Sequence, residues 1–200
     1  MKRFTDLLFA TILILLLSPI FLLLSIFILI DSKGGVFFLQ DRIGLNRKKF
    51  RIIKFRTMVK NAESTGTGIF TNKNDDRITN FGNFLRKYSL DELPQIFNVF
   101  KGEMSIVGPR PPVLFHPYKI DQYPEEYIKR FNFKPGITGL AQISGRTNIT
   151  WEERFVFDLI YINNYSILLD VKILFTTVKN IFKKIEVYPS EEYIKNNHKN

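Results

Sequence analysis

Apolar residues fill nearly every position from Leu7 to Ile30, until the pattern breaks at Asp31-Ser-Lys-Gly-Gly. As a straight helix this run of about 24 residues would reach ~36 Å, more than the ~30 Å hydrocarbon core of a bilayer. It is too long for the apolar region of a secretory signal, and no small-x-small cleavage site follows it. Ser18-Pro19 sits at its middle, where proline withdraws a backbone N–H and crowds the preceding turn. Basic residues flank both ends: Lys2 and Arg3 before it, then Lys33, Arg42, Arg47, Lys48 and Lys49 after it. Cytoplasmic flanks carry the excess of Lys and Arg. That symmetry fits a helix broken at Ser18-Pro19 that enters one leaflet and returns. A bent single-pass anchor fits the same residues, because spanning helices tolerate proline.

Past the apolar run the periodicity changes repeatedly. Val36-Phe-Phe-Leu-Gln40 and Phe50-Arg-Ile-Ile-Lys-Phe-Arg56 predict two short strands, joined as a hairpin by the turn-rich Gly44-Leu-Asn-Arg-Lys-Lys49. Lys60 to Arg77 is polar and rich in Gly, Asn, Asp and Thr, and reads as a loop long enough to cover a site. Ile78 to Tyr88 carries an apolar stripe of Phe81, Phe84, Leu85 and Tyr88, and predicts a helix. A second short helix is expected from Asp91 to Phe100, ending at Lys101-Gly102. Pro109, Pro111 and Pro112 make the next stretch extended. Tyr123 to Phe133 reads as helix, Lys134 to Arg146 as a glycine-punctuated loop, and Trp151 to Tyr165 and Ile167 to Ile185 as helices. The last sets Leu169, Ile173, Leu174, Val178, Ile181 and Phe182 against Lys172, Lys179, Lys183 and Lys184. Such a helix can lie in an anionic lipid interface or pack on the protein's own core.

Length and charge narrow the reading. Two hundred residues suit one domain. A formal charge of +10 calls for a polyanionic partner: nucleic acid, an anionic membrane or a phosphorylated substrate. Nucleic acid is disfavoured, because no RNP pattern, zinc-finger spacing or basic recognition helix is present. P-loop and dinucleotide glycine fingerprints are missing too. With no cysteine, disulfides and thiolate metal sites are excluded. His116 and His198 are too far apart in sequence to resemble a metal site.

The candidate chemistry centres on Asp91-Glu92. A carboxylate can attack phosphorus, and its neighbour can hold Mg2+. A structural reading stands beside this one: Ser89-x-x-Glu92 matches a capping box, and Asp91 could cap a helix with Pro94 in its first turn. Lys54, Arg56, Arg86, Arg110 and Arg146 lie among turns, glycines or prolines and not along one solvated helix face. In Pro109-Arg110-Pro111, two rings stiffen the backbone around a guanidinium suited to clamp phosphate. Asp158 and Asp170 are the acids near the end; Asp170 stands in the apolar Ile167-Leu-Leu-Asp-Val-Lys-Ile-Leu174, where an unpaired carboxylate is costly, so an N-cap or structural ion pair leads over a metal or arginine partner at the site.

Four ordered blocks then carry a family resemblance: Lys54-Phe-Arg-Thr-Met58, Ser89-Leu-Asp-Glu-Leu-Pro-Gln95, Met104-Ser-Ile-Val-Gly-Pro-Arg-Pro111 and Lys134-Pro-Gly-Ile-Thr-Gly-Leu-Ala-Gln142. Together with Ser18-Pro19 they resemble the bacterial sugar transferases, the small monotopic phosphoglycosyl transferases, from the helix break to about Ile185. The resemblance implies transfer of a sugar 1-phosphate from a UDP-sugar to a polyprenyl phosphate, usually undecaprenyl phosphate, with release of UMP. It implies Asp91 as nucleophile through a phosphosugar-aspartyl intermediate, Glu92 as Mg2+ ligand and Arg110 on the nucleotide or its phosphates. Lys54, Arg86, Arg146 and Asp170 match further polar positions of the family pattern. Ser144-Gly-Arg-Thr departs from the Asn-Gly-Arg-Asn of many relatives. The resemblance also favours the re-entrant topology, on the cytoplasmic face of the bacterial inner membrane, at the start of glycan assembly by downstream glycosyltransferases. The expected architecture is α+β, mostly helical with a small β-hairpin. It comprises a re-entrant helix (1–32), a catalytic domain with interfacial amphipathic helices (33–188) and a polar tail (189–200). A non-catalytic membrane scaffold for glycan enzymes is the alternative.

Overall fold

A computed structural model describes residues 2–65, 68, 75–145 and 148–183. In chain order these form α1 (Lys2–Asp31), β1 (Phe37–Ile43), β2 (Lys49–Phe55), α2 (Asn80–Lys87), α3 (Gln95–Lys101), β3 (Ser105–Val107), α4 (Glu125–Ile128), β4 (Gly136–Thr138), α5 (Leu140–Ser144), α6 (Trp151–Asn163) and α7 (Ile167–Phe182). The class is α+β and mostly helical, as expected. The hairpin is present too, with β1 and β2 antiparallel from Phe37↔Phe55 to Ile43↔Lys49.

α1 is a working part of the core. Arg3, Asp6, Ala10, Leu13, Leu17, Phe21, Leu24, Ile28 and Asp31 recur at intervals of three or four, the spacing that draws one stripe down a helix. Every position on this stripe meets the rest of the chain. Arg3 donates to the carbonyls of Val99 and Phe100 at 2.6 and 2.9 Å. The buried Asp6 carboxylate accepts from Ser105 Oγ and Ile106 N, both at 3.1 Å. Ala10, Phe21, Leu24 and Ile28 pack with Ile52 and Phe55 of β2, Leu85 of α2, and Ile96 and Val99 of α3. Asp31 accepts from Phe81 N at 3.1 Å. Arg56 gathers the carbonyls that end the helix, donating to Ile28, Ser32 and Lys33. A cation there also complements the helix dipole. Gly34 is needed beside it: its φ is +139°, and a Cβ would stand 1.9 Å from Arg56 Nη1.

The opposite face of α1 is apolar and exposed, with Leu15 at 71% and Ile30 at 77%. So large a greasy face requires a non-aqueous partner. Among the described residues, α1 is the one helix long and apolar enough to cross a membrane. Ser18-Pro19 does not interrupt it, for a chemical reason. Proline removes the N–H that would have bonded Leu15 O, and the Ser18 hydroxyl donates to that carbonyl instead, at 2.9 Å.

Several boundaries differ from the sequence expectation. Residues 91–100 do not form one helix: a 3-10 turn at Leu90–Glu92 precedes Pro94, and only then does α3 begin. The helix expected at 123–133 is a single α-turn, α4, continued as 3-10 at Lys129–Asn132. The loop expected from Lys134 holds β4, parallel to β3 through Ser105↔Gly136 and Val107↔Thr138, and then α5. Glycine permits that pairing, since a Cβ on Gly136 would lie 2.1 Å from Gly108 N. Within 60–77, Arg77 Nη1 collects the carbonyls of Ala62, Thr65 and Gly68 at 2.6–2.7 Å; the rest of that expected cover lies largely outside the described residues. The expected tail also lies outside them.

α7 reproduces the theme of α1. It is capped by Ser166, whose hydroxyl accepts from Leu169 N, and buries Ile173 while leaving Leu168 at 80% and Phe182 at 82% exposed. The Lys2 ammonium pairs with Asp170 in the first turn of α7, so the starts of α1 and α7 are tied.

Candidate active site

The chain reverses at Ser89, which adopts the left-handed region (φ 56°) between α2 and the 3-10 turn. Neither the turn nor α3 uses a side-chain cap, so the capping readings of Ser89, Asp91 and Glu92 do not hold. The reversal sets Asp91 and Glu92 among cations from three other segments. Lys54 arrives on β2 and puts Nζ 2.8 Å from Glu92 Oε1. Arg110 follows β3 on the proline-stiffened stretch; its Nη2 lies 2.8 Å from Glu92 Oε1 and its Nη1 3.5 Å from Oε2. Arg86 comes from the last turn of α2, its Nε held by Thr57 Oγ1 at 2.8 Å.

The two adjacent carboxylates are electrostatically unlike. Burial raises both, but for Glu92 the Arg110 and Lys54 charges and hydrogen bonds outweigh it and hold the carboxyl well below its usual range. Asp91 is pushed up to about 6, by burial first and then by Glu92, against the pull of Lys54, Arg86 and Arg110. No described residue donates a hydrogen bond to its carboxylate. Asp91 is therefore the carboxylate of the pair whose charged form is less favoured, while Glu92 stays ionised. The Arg110 guanidinium is held protonated by Glu92.

Beneath Arg110 lies a dry support. Arg130 Nε and Nη2 bond Asp158 Oδ2 at 3.0 and 2.7 Å, with both side chains buried. Arg130 Nη2 also donates to the Arg110 carbonyl at 2.8 Å, and its guanidinium lies over Phe155. Asp158 is thus a structural ion-pair member.

A cavity of about 580 Å³ opens from Glu92 and Arg110. Arg42 of β1 borders it, donating to Pro111 O at 2.9 Å and to Gln40. Burial, and secondarily Arg110, lower Arg42 to about 9. Trp151 borders it from the first turn of α6, which the reciprocal Thr150–Glu153 capping box fixes. Trp151 Nε1 donates to His116 Nε2 at 2.8 Å. The Gln142 amide, also on the wall, is buried with neither its nitrogen nor its oxygen paired, a condition that a ligand would relieve.

The structure therefore gathers Asp91, Glu92, Lys54, Arg86 and Arg110. It does not bring Asp170 into the group: that carboxylate is taken by Lys2 and by Tyr161 OH at 2.7 Å, and it does not line the cavity. Arg56 caps α1, and Arg146 lies outside the described residues. Sequence reasoning missed Gln40, Arg42, His116, Gln142 and Trp151. Arg42 had been counted only as a charge flanking the membrane helix. The one usable signal was that the chain's single tryptophan stands at a helix start beside other polar residues.

The family pattern described as bacterial sugar transferase matches residues 1–184. The chain belongs to that family. Among its curated relatives is a UDP-glucose:undecaprenyl-phosphate glucose-1-phosphate transferase of Klebsiella pneumoniae, 44% identical over 182 residues, which are 88% of this chain and 39% of that protein. An uncharacterised sugar transferase of Bacillus subtilis is 41% identical across 90% of this chain and 87% of its own length. The exopolysaccharide production protein ExoY of Sinorhizobium fredii is 39% identical across 88% and 83%. The chain thus spans about two fifths of the Klebsiella relative but most of the Bacillus subtilis and Sinorhizobium fredii proteins.

Proposed function

We propose that this sugar transferase moves a sugar 1-phosphate from a UDP-sugar to a polyprenyl phosphate in two displacements at one carboxylate. An Asp91 oxygen attacks the phosphorus that bears the sugar; the new P–O bond forms as the diphosphate bridge breaks, and UMP leaves with the electron pair. A phosphate oxygen of the lipid then attacks the same phosphorus, forms the lipid diphosphate and returns the Asp91 carboxylate. The observation that carries this reading is the adjacent pair Asp91-Glu92 on a tight 3-10 turn, with Lys54 and Arg110 each 2.8 Å from the Glu92 carboxylate and Arg86 held nearby by Thr57. These cations are placed to share their charge with the donor's phosphates, and a preformed cationic pocket stabilises charge as it develops on the leaving group.

Mg2+ is commonly held by one or two carboxylates together with substrate phosphates. Asp91 and Glu92 fit that pattern, with Glu92 as the ionised ligand. No group of three or more His, Asp or Glu ligands exists among the described residues, so the donor's diphosphate and water would complete the shell. Bound there, Mg2+ would neutralise diphosphate charge and favour the departure of UMP.

The same reading places the protein on the cytoplasmic leaflet as a monotopic enzyme. Support comes from α1, whose first and last turns both bond the catalytic body, through Asp6 and Asp31, while its outer face and that of α7 are apolar. A span with one end across the bilayer would have to break one of those attachments. UDP-glucose is the first donor to test, given the name of the Klebsiella relative. In lipid nanodiscs, repeated turnover to UMP should require Mg2+ and polyprenyl phosphate, whereas with lipid withheld about one UMP per chain should be released and intact mass should show a phosphosugar adduct. Asp91→Asn should lose both while remaining membrane-bound. Turnover by Asp91→Asn at the native rate would end the proposal, and a chain inert toward every UDP-sugar would favour the scaffold reading.

A further inference from the structure

The first turn of α1 and the end of α3 meet at a corner that gathers two cations. α3 stops at Gly102, whose φ of +88° favours glycine, and a Cβ there would lie 3.2 Å from Arg3 Nη2 and 3.6 Å from Lys134 Nζ. Both charges therefore crowd one small space. Burial first, and then the Arg3 charge, lower the Lys134 ammonium below its ordinary value. Arg3 spends part of its fork on the Val99 and Phe100 carbonyls, whereas among the described residues Lys134 Nζ has no hydrogen bond or ion pair. Asp6 is the acid whose charge reaches Lys134, but its carboxylate accepts from Ser105 Oγ and Ile106 N. The other acid near the start of α1, Asp170, is taken by Lys2. The corner is short of a counter-charge.

It opens where α1 begins its outer apolar face: Phe4 is 72% exposed, and Leu7 and Leu8 follow at the spacing that keeps them on one side of the helix. Two more exposed aromatics stand beside it. Arg3 bonds the carbonyl of Phe100, and Tyr165 contacts the ring of Phe133, the neighbour of Lys134. Cations rimmed by aromatics at the start of an apolar helix suit the headgroup layer of a bilayer. This is not the reacting site: the Asp91–Glu92 turn precedes α3 and Gly102 follows it, and seven residues of helix span about 10 Å. We propose that the corner binds an anionic phospholipid, its phosphate bridging Arg3 and Lys134 and an acyl chain lying along Phe4, Leu7 and Leu8. The phosphate supplies the missing counter-charge and fixes the depth at which α1 enters the bilayer. A soluble phosphate meets the same cations but gains nothing from the apolar rim. This goes beyond the transfer chemistry; it rests on the membrane placement of α1 and not on Asp91.

Lys134→Gln removes one charge and breaks no bond among the described residues. Released from nanodiscs of phosphatidylcholine and phosphatidylglycerol into native mass spectrometry, the unsubstituted chain should retain one phosphatidylglycerol. Lys134→Gln should hold it about 5-fold less tightly, the worth of one basic contact at an anionic surface, and Lys134→Arg should hold it as the unsubstituted chain does. Lys48→Gln, in the exposed hairpin turn, should change nothing. Equal loss in Lys134→Gln and Lys48→Gln would reduce the effect to diffuse attraction and overturn the proposal; so would retention that ignores Lys134→Gln. Displacement by millimolar inorganic phosphate would overturn it in favour of a soluble anion, and displacement by polyprenyl phosphate in favour of the acceptor. The unsubstituted chain supplies a second test if the variants fail to fold. Phosphatidylglycerol should raise its Tm above the value in phosphatidylcholine alone, and an unchanged Tm would overturn the proposal. A chain that does not enter phosphatidylcholine nanodiscs at all would instead defeat the membrane placement on which the proposal rests.

Discussion

Removing the Asp158 carboxylate should test whether the buried Arg130–Asp158 pair holds the Arg110 turn. Asp158→Ala leaves the Arg130 guanidinium, 2% exposed, without its counter-charge and without the bonds of 3.0 and 2.7 Å. Breaking a buried pair from one side costs about 3–5 kcal/mol. In a chain of this size, that is a fall of about 6–20 °C in Tm. Arg130→Met with Asp158→Leu removes both charges and should recover most of the loss. It should stop about 1–3 kcal/mol short, because the Arg110 carbonyl loses its buried donor. Turnover, however, should stay depressed in the double variant, since Arg110 is no longer held from below. Unfolding would be followed by Trp151 fluorescence in nanodiscs, and turnover by UMP release. If Asp158→Ala unfolds within ~1 kcal/mol of the native chain, or the double variant regains full activity, the pair does not position Arg110.

Three further outcomes follow from particular contacts. Arg110→Lys keeps the charge but loses the fork that faces Glu92, and should lower kcat/KM for the donor roughly 10- to 100-fold with little change in Tm. Burial lowers the pKa of His116, and its ring accepts from Trp151, so the fold holds the neutral form. The stability of that contact is complete above the ordinary histidine value of about 6.5 and is lost as pH falls through and below it. Emission from the single tryptophan should therefore change as pH is lowered below that value in the native chain, and stay constant in His116→Phe. Ser18→Ala orphans the Leu15 carbonyl and should cost about 1 kcal/mol in nanodiscs. In a Pro19→Ala background, where the backbone N–H is restored, the same change should cost nothing.

The sequence was most informative where local chemistry fixed the structure. The hairpin follows from two β-rich runs around a turn, and the α+β class from periodicity. Lys54, Arg86 and Arg110 converge on the carboxylate pair because the family's motifs mark positions from separate segments. The helix predicted from Asp91 failed because Pro94 starts α3 later and Ser89 turns the chain first. β4 was hidden because a three-residue parallel strand with glycine at its close approach carries no alternating pattern. The family pattern drew Asp170 toward the site, whereas the ion pair that its apolar setting suggested is present, with Lys2, 168 residues away, a partner that no local rule names. The protein-facing stripe of α1 was also invisible, because leucine and isoleucine serve equally well against lipid and against a core.

That stripe bears on how a water-soluble version could be made. Deleting the first thirty-odd residues would strip Ile52, Phe55, Leu85 and Val99 of their neighbours and leave a collapsed remnant instead of a freed enzyme. Repainting is the better engineering route: polar substitutions at Leu8, Leu15, Leu22 and Ile30, together with Leu168, Phe175 and Phe182 on α7, would change the outside of the molecule and spare its interior. For this fold the anchor and the scaffold are the same piece of chain.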